Sequence, residues 1–288
     1  MPRSPLNGGN IYTLVVLDIK GELRARSVRT CLYHRGVRMP EPLDTGSGPV
    51  LVSLCAQLNR TGTEVRGIEE FAALSQHLVA TGVPLLIFVD AASMNRLGHL
   101  ASQPHITLVA LPESILSKKI AESVASLLSQ GKRSPRSTNI AKDTAEYFQL
   151  MYLKPWLLNI AAQMCNAQTL WWIDLGIAHV SNVPLDLGSR LNRTQVDPVL
   201  IFRDLRPGNR PQSWAAKDGY GFACGGLFGV ARDATGWLVE TFESHLLTML
   251  AQGEVPLDED VLTQMALRHS EVITIGNAWH EEIFIGLN

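Results

Sequence analysis

Thr169-Leu170-Trp171-Trp172-Ile173-Asp174-Leu175-Gly176 is a short run of strand-forming residues that ends on a carboxylate and then a glycine. Two adjacent tryptophans in such a run need cover on both faces, as in a strand buried inside a parallel sheet. The strand delivers one carboxylate, Asp174, to its end. Gly176 lets the chain turn there and admits a bulky ligand close to the backbone. The same pattern occurs upstream, where Ile11 to Leu17 (IYTLVVL) runs into Asp18 and Pro84 to Val89 (PLLIFV) runs into Asp90.

Between these runs lie helical patterns. Ile68 to Thr81 carries apolar residues at helical spacing, with Glu69 and Glu70 in its first turn and Gly82 beyond its end. Ile106 to Leu111 is a third short strand, and Tyr147 to Gln163 is an apolar helix leading into the tryptophan strand. Gly221 to Val230 (GFACGGLFGV) is a buried strand whose glycines, Gly225 and Gly226 among them, allow close backbone approach. Asp233 to Ala251 is an amphipathic helix, and Asp258 opens another. Residues 35–49, 129–142 and 204–221 are loops by composition. Strands alternating with helices predict an α/β domain with a mostly parallel central sheet flanked by helices. Ligands of such sheets sit at the carboxyl ends of the strands, where Asp18, Asp90 and Asp174 lie.

The 288 residues, 46% of them hydrophobic, suit one large domain, and a formal charge of −2 gives no general attraction to nucleic acid or anionic membrane. Cys31, Cys55, Cys165 and Cys224 have neither zinc-finger nor disulfide-scaffold spacing. Residues 1–10 read as a flexible start without the apolar core of a signal peptide, and no run is long enough to span a bilayer. A cytoplasmic protein without a transmembrane segment is expected. Dinucleotide, P-loop and serine-hydrolase motifs are absent. Val16 to Leu23 (VLDIKGEL) echoes the start of haloacid-dehalogenase-type phosphatases, but Lys20 stands where their general acid should be.

A diphosphate ligand needs a divalent cation or fixed positive charge, and carboxylate oxygens suit Mg²⁺ or Mn²⁺. Asp174 is placed for that, with His179 near enough to return to it; equally, Asp174 suits a cap on the following turn with His179 packed against it. Asp258, Glu259 and Asp260 complement a helix N-terminus, which is a complete account of them as residues.

Leu150-Met151-Tyr152-Leu153-Lys154-Pro155-Trp156-Leu157-Leu158, followed by Trp171 to Val180, resembles the HtrL/YibB-like family, as do Ala223-Cys224-Gly225-Gly226 and Asp258-Glu259-Asp260. The resemblance implies a GT-A-like, Rossmann-like fold in a single domain and a glycosyltransferase that uses a nucleotide-sugar donor, with a UDP-sugar favoured. It implies that residues 11–145 form the nucleotide-sugar-binding half and residues 146–288 the acceptor and catalytic half. Asp174 would stand at the first position of a D-x-D motif whose second position is Gly176. Asp174 and the late His280 would be the ligands of Mn²⁺ or Mg²⁺. Lys154 and Arg66 would face the donor phosphates, Asp18 and Asp90 the base and ribose, and Gly225-Gly226 would leave room for the sugar. One of Asp258, Glu259 and Asp260 would serve as base toward the acceptor or contact the transferred sugar. The acceptor would be a surface glycan or, as a second choice raised by the basic loops at 129–142 and 204–220, a modified nucleobase in DNA; those loops read first as plain solvated loops. A GT-A-like binding protein without turnover is the alternative, kept open by Gly176.

Overall fold

The computed structural model describes residues 11–17, 23–29, 48–57, 67–111, 116–133, 143–204, 223–278 and 282–287. Strands β1 (Ile11–Leu17) and β2 (Leu23–Arg29) form an antiparallel pair. There follow β3 (Val50–Cys55), α1 (Ile68–Val79), β4 (Leu85–Val89), α2 (Ala91–Leu97), β5 (Ile106–Ala110), α3 (Lys118–Ser129), α4 (Ala145–Tyr152) and α5 (Lys154–Met164). The remainder is β6 (Thr169–Ile173), α6 (Leu187–Arg193), β7 (Val199–Asp204), β8 (Ala223–Ala231), α7 (Thr235–Ala251), α8 (Asp258–Arg268) and β9 (Ile273–Ala278).

The strands form one sheet in the order β2-β1-β5-β4-β3-β6-β8-β7-β9. Its core, β5-β4-β3-β6, is parallel throughout, and β7 and β9 run the same way. Within the span from β5 to β9 only β8 is reversed, pairing antiparallel with both β6 and β7. This is the mostly parallel α/β sheet flanked by helices that the alternating pattern predicts. At the far edge β1 runs against β5, so its end does not join the row of carboxyl ends. From β3 the chain winds outward through β4 and β5, whereas β6 lies on the other side of β3. The carboxyl ends of β3 and β6 therefore flank the topological switch point, where open α/β sheets open a crevice for ligands.

Strand periodicity sorts the side chains into two layers. Val52, Leu86, Phe88, Trp172 and Phe228 pack under α3, α4, α5, α7 and α8. Leu51, Leu85, Ile87, Trp171 and Phe202 face α1, α2 and α6. The adjacent tryptophans thus point to opposite layers, Trp171 stacking on Phe202 at 6.3 Å and Trp172 on Phe228 at 6.5 Å. Burial on both faces explains why these strands read as continuous apolar runs.

The single helix expected over 147–163 is two, broken at Leu153. Pro155 is the cause: it has no N–H to give the preceding turn, and in the first turn of a helix that lack costs nothing, so it starts α5 instead. No described helix is long and apolar enough to cross a membrane. Cys55, Cys165 and Cys224 are buried.

Candidate active site

Asp174 follows β6 directly, and the two-residue period of a strand puts it on the same side as Trp172, toward α5 and α8. The indole Nε1–H of Trp172 donates to Asp174 Oδ1 at 2.8 Å, and the Asp174 backbone N–H donates to the Gly226 carbonyl at 3.0 Å. Lys154, at the first turn of α5, reaches the same point with its side chain buried. Its ammonium lies 2.8 Å from Asp258 Oδ2, 2.9 Å from the Gly225 carbonyl oxygen and 3.2 Å from Asp174 Oδ1. The Trp172 ring centroid is 5.5 Å away. Three oxygens match the three protons an ammonium carries.

The expectation that Lys154 faces donor phosphates meets a buried ammonium that donates to the Gly225 carbonyl and ion-pairs with Asp174 and Asp258, so it positions those groups. Burial by itself would pull the lysine pKa down; Asp174 and Asp258 outweigh it and hold the pKa above the ordinary lysine value. Asp258 is pushed the other way from a simple ion pair. Its burial raises the carboxyl to about 6, the attraction of Lys154 opposes that rise, and Glu259 and Asp174 add to it. One ammonium shared between Asp174 and Asp258 cannot fully compensate either.

The three acidic residues at the start of α8 separate by geometry. Asp258 is buried against Lys154. Asp260 Oδ2 accepts the Leu257 backbone N–H at 2.8 Å and closes the helix N-terminus. Glu259 is half-buried, and its Oε1 accepts the Gly225 backbone N–H at 3.2 Å. Glycine at 225 is required by this contact. A Cβ there would run into Asp258 Oδ2 and sit 2.9 Å from Glu259 Cγ. Gly225→Ala is expected to lower stability by about 1–3 kcal/mol through overpacking. Gly236→Ala, where a Cβ meets nothing within 4 Å, is expected to be neutral or slightly stabilising. Thermal unfolding of the two variants side by side is the check, and equal midpoints would contradict the packing account.

At the next residue, Gly226, a Cβ would be 3.1 Å from Ile177 Cδ1 and 3.5 Å from Asp174 Oδ2. Gly176 differs from expectation. The space beside it is filled by Phe71 of α1, which would lie 2.9 Å from an added Cβ, so this glycine serves helix packing and leaves no opening for a ligand. His179 is exposed, and its ring Nδ1 is bonded to the Gly176 carbonyl, not turned back to Asp174.

Asp90 caps α2, its Oδ1 accepting the Ser93 N–H and its Oδ2 the Gln57 N–H, each at 2.7 Å. That ties the end of β4 to the end of β3, two strands from Asp174, roughly 10 Å. Ser53 Oγ donates to the Ile173 carbonyl at 2.7 Å and locks β3 to β6 just below the switch point. Asp18, Arg66 and His280 lie outside the described residues, as do residues 134–142 and 205–222 of the basic loops.

Two residues of the cluster are not singled out by sequence. Trp172 is legible by strand parity, two positions before Asp174. Tyr147 stands two helical turns before Lys154, and its phenol is pushed up to about 12 by burial and then by Asp258, with Asp174 and Glu259 adding to the shift. Two surface hollows, along Ser244–Gln252 of α7 and between α3 and Leu250, share no residue with this cluster. Among the described residues no three side chains of metal-binding type converge.

No family model matches the chain, and no curated protein sequence matches it. Among solved structures, the apo form of mouse xyloside xylosyltransferase 1 superposes with a TM-score of 0.45 at 12% identity, over 81% of this chain and 85% of that one. Mannose-1-phosphate geranyltransferase from Thermus thermophilus superposes with a TM-score of 0.36 at 15% identity, over 84% and 77% of the two chains. Both are transferases by name.

Proposed function

We propose that this chain is a glycosyltransferase that moves a sugar from a nucleotide-sugar donor to a hydroxyl acceptor. The observation that carries the reading is Asp174, a carboxylate 41% exposed at the topological switch point, held in place by Lys154 and Trp172. Residues to about 145 bind the nucleotide, with a UDP-sugar the favoured donor; residues 146–288 hold the acceptor, a surface glycan or a modified nucleobase.

The electrostatics favour a cation in this reading. One ammonium faces the carboxylates of Asp174, Asp258 and Glu259, a formal excess of −2, which repels a diphosphate. Asp174 Oδ2 has no described donor on it, and a hard carboxylate oxygen suits Mg²⁺ or Mn²⁺. Mg²⁺ in phosphate sites is commonly bound through one or two carboxylates plus the substrate's own phosphates. Asp174 therefore fits as a protein ligand, with His280 the second by resemblance. When bound, the ion would neutralise the negative charge that grows on the departing nucleoside diphosphate. The chain's own residues do the rest. Lys154 and Trp172 fix the Asp174 carboxylate through Oδ1 and leave Oδ2 to the ligand. Gly226 adds no side chain of its own beside Oδ2, next to Ile177. Glu259 is assigned to the acceptor hydroxyl as general base, since Asp258 is buried under Lys154 and Asp260 closes the helix.

The test is a thermal-shift screen of nucleoside diphosphates and their sugars, each with Mn²⁺, with Mg²⁺ and with chelator. At a hundred times its Kd, one nucleotide series is expected to stabilise the fold by about 2.7 kcal/mol, and chelator to remove that gain. No shift from any of them in a folded protein would overturn the donor reading and leave a GT-A-like scaffold without this chemistry.

A further inference from the structure

At the other end of α8, eleven residues and roughly 16 Å from Asp258, two histidines meet. His269 is the C-terminal cap of α8, and His245 projects from α7 with only 9% of its surface exposed. Their Nε2 atoms are 3.2 Å apart, with ring planes crossed at 88°. The edge of the group is closed by Trp237, whose ring meets that of His269 at 5.6 Å in a T-shaped contact. On its other side, His269 Nδ1 lies 3.7 Å from Glu271 Oε1.

The geometry points to a site for a divalent transition-metal ion, of which Zn²⁺ is the natural probe, held by His245 Nε2 and His269 Nε2 and completed by water. Zn–N bonds of about 2.0–2.1 Å at a tetrahedral angle set two ligand nitrogens about 3.3 Å apart. The observed spacing therefore accommodates the ion without moving either helix. In the metal-free protein one ring donates its Nε2–H to the other. On binding, the Glu271 carboxylate favours the Nδ1–H tautomer of His269, which frees its Nε2 lone pair, as carboxylates behind metal-bound histidines do. His245 moves its proton from Nε2 to Nδ1, so no net proton is lost. His269 is held for this purpose by its backbone: its carbonyl accepts the Val272 N–H at 2.9 Å and the Ile273 N–H at 2.8 Å. With a side-chain exposure of 30%, it leaves a route for water to the remaining coordination positions. Arg268 places a positive charge near His245, which works against cation binding there, while Glu271 places a negative one behind His269.

Calorimetric titration of the full chain with Zn²⁺ tests this. One ion per chain is expected at this site. His269→Gln removes a ligand and abolishes the uptake, while His77→Gln, an exposed histidine of α1 away from both sites, retains it. Glu271→Gln changes an exposed side chain that cannot unfold the protein, and it weakens uptake by about 10-fold through the lost partner of Nδ1. A wild-type chain that takes up no Zn²⁺, or a His269→Gln variant that is folded and titrates like wild type, would overturn the site. If His269→Gln does not fold, an unchanged affinity in Glu271→Gln would do so.

Discussion

Asp174→Asn is expected to give a folded protein whose donor turnover falls by at least about 100-fold, the scale on which a group that organises charge in the transition state acts. The substitution is nearly isosteric. The asparagine amide would still offer an oxygen to Trp172 Nε1, and Lys154 keeps Asp258 and the Gly225 carbonyl as partners. Because Asp174 is part-exposed, the fold should lose only about 1 kcal/mol from the weakened contact to Lys154. What the variant loses is the negative oxygen that faces the ligand, and with it the metal-dependent part of nucleotide binding. Two measurements separate these effects: the unfolding midpoint without ligand, and the rate of sugar release from the donor that the binding screen identifies. A rate within a few-fold of wild type would remove Asp174 from the chemistry. A collapsed midpoint would show instead that the residue is structural.

The residues that carry this argument are unevenly legible in the sequence. β4 and β6 can be read because each is an unbroken apolar run ending on an aspartate. β3 cannot: Val50-Leu51-Val52-Ser53-Leu54-Cys55 follows directly on a Pro/Gly-rich loop and contains a serine. Only the fold shows that Ser53 is fully buried and satisfied by the Ile173 carbonyl. β9, Ile273-Thr274-Ile275-Gly276-Asn277-Ala278, has the mixed exposure of an edge strand and gives no clean period. Lys154, Asp174, Gly225 and Asp258, grouped by motif although far apart along the chain, come together in the fold. Their partners are what the sequence hides. Residue type suggests that a lysine beside a phosphate site binds phosphate, whereas the fold buries this one against the carboxylates of Asp174 and Asp258. Asp90 and Asp260 show the converse, since the backbone N–H groups they accept are a structural use that any helix start can supply.

That view of Lys154 has a large consequence for stability. Lys154→Met keeps the volume of the chain but leaves Asp258 buried with no cation, and breaking a buried pair from one side costs about 3–5 kcal/mol. The cost should depend on pH in a defined direction. Asp258 in the folded wild type sits at about 6, above its ordinary value of 3.8, so its contribution favours the fold most at low pH and is lost as pH rises through 6. Without Lys154, the attraction that opposed this rise is gone and the carboxyl moves higher still. Between pH 6 and that new value the folded variant holds one proton more than folded wild type, while the unfolded chains are alike. The deficit of the variant therefore grows by up to about 1.4 kcal/mol per pH unit above 6 and levels off below it. Denaturant unfolding of both proteins at pH 5, 6, 7 and 8 measures the difference directly. A deficit that is large at pH 8 and small at pH 5 assigns Lys154 to charge compensation. A deficit of equal size at every pH would mean that packing, not charge, is what Lys154 contributes, and the account of Asp174 as a carboxylate fixed by this ammonium would fall with it.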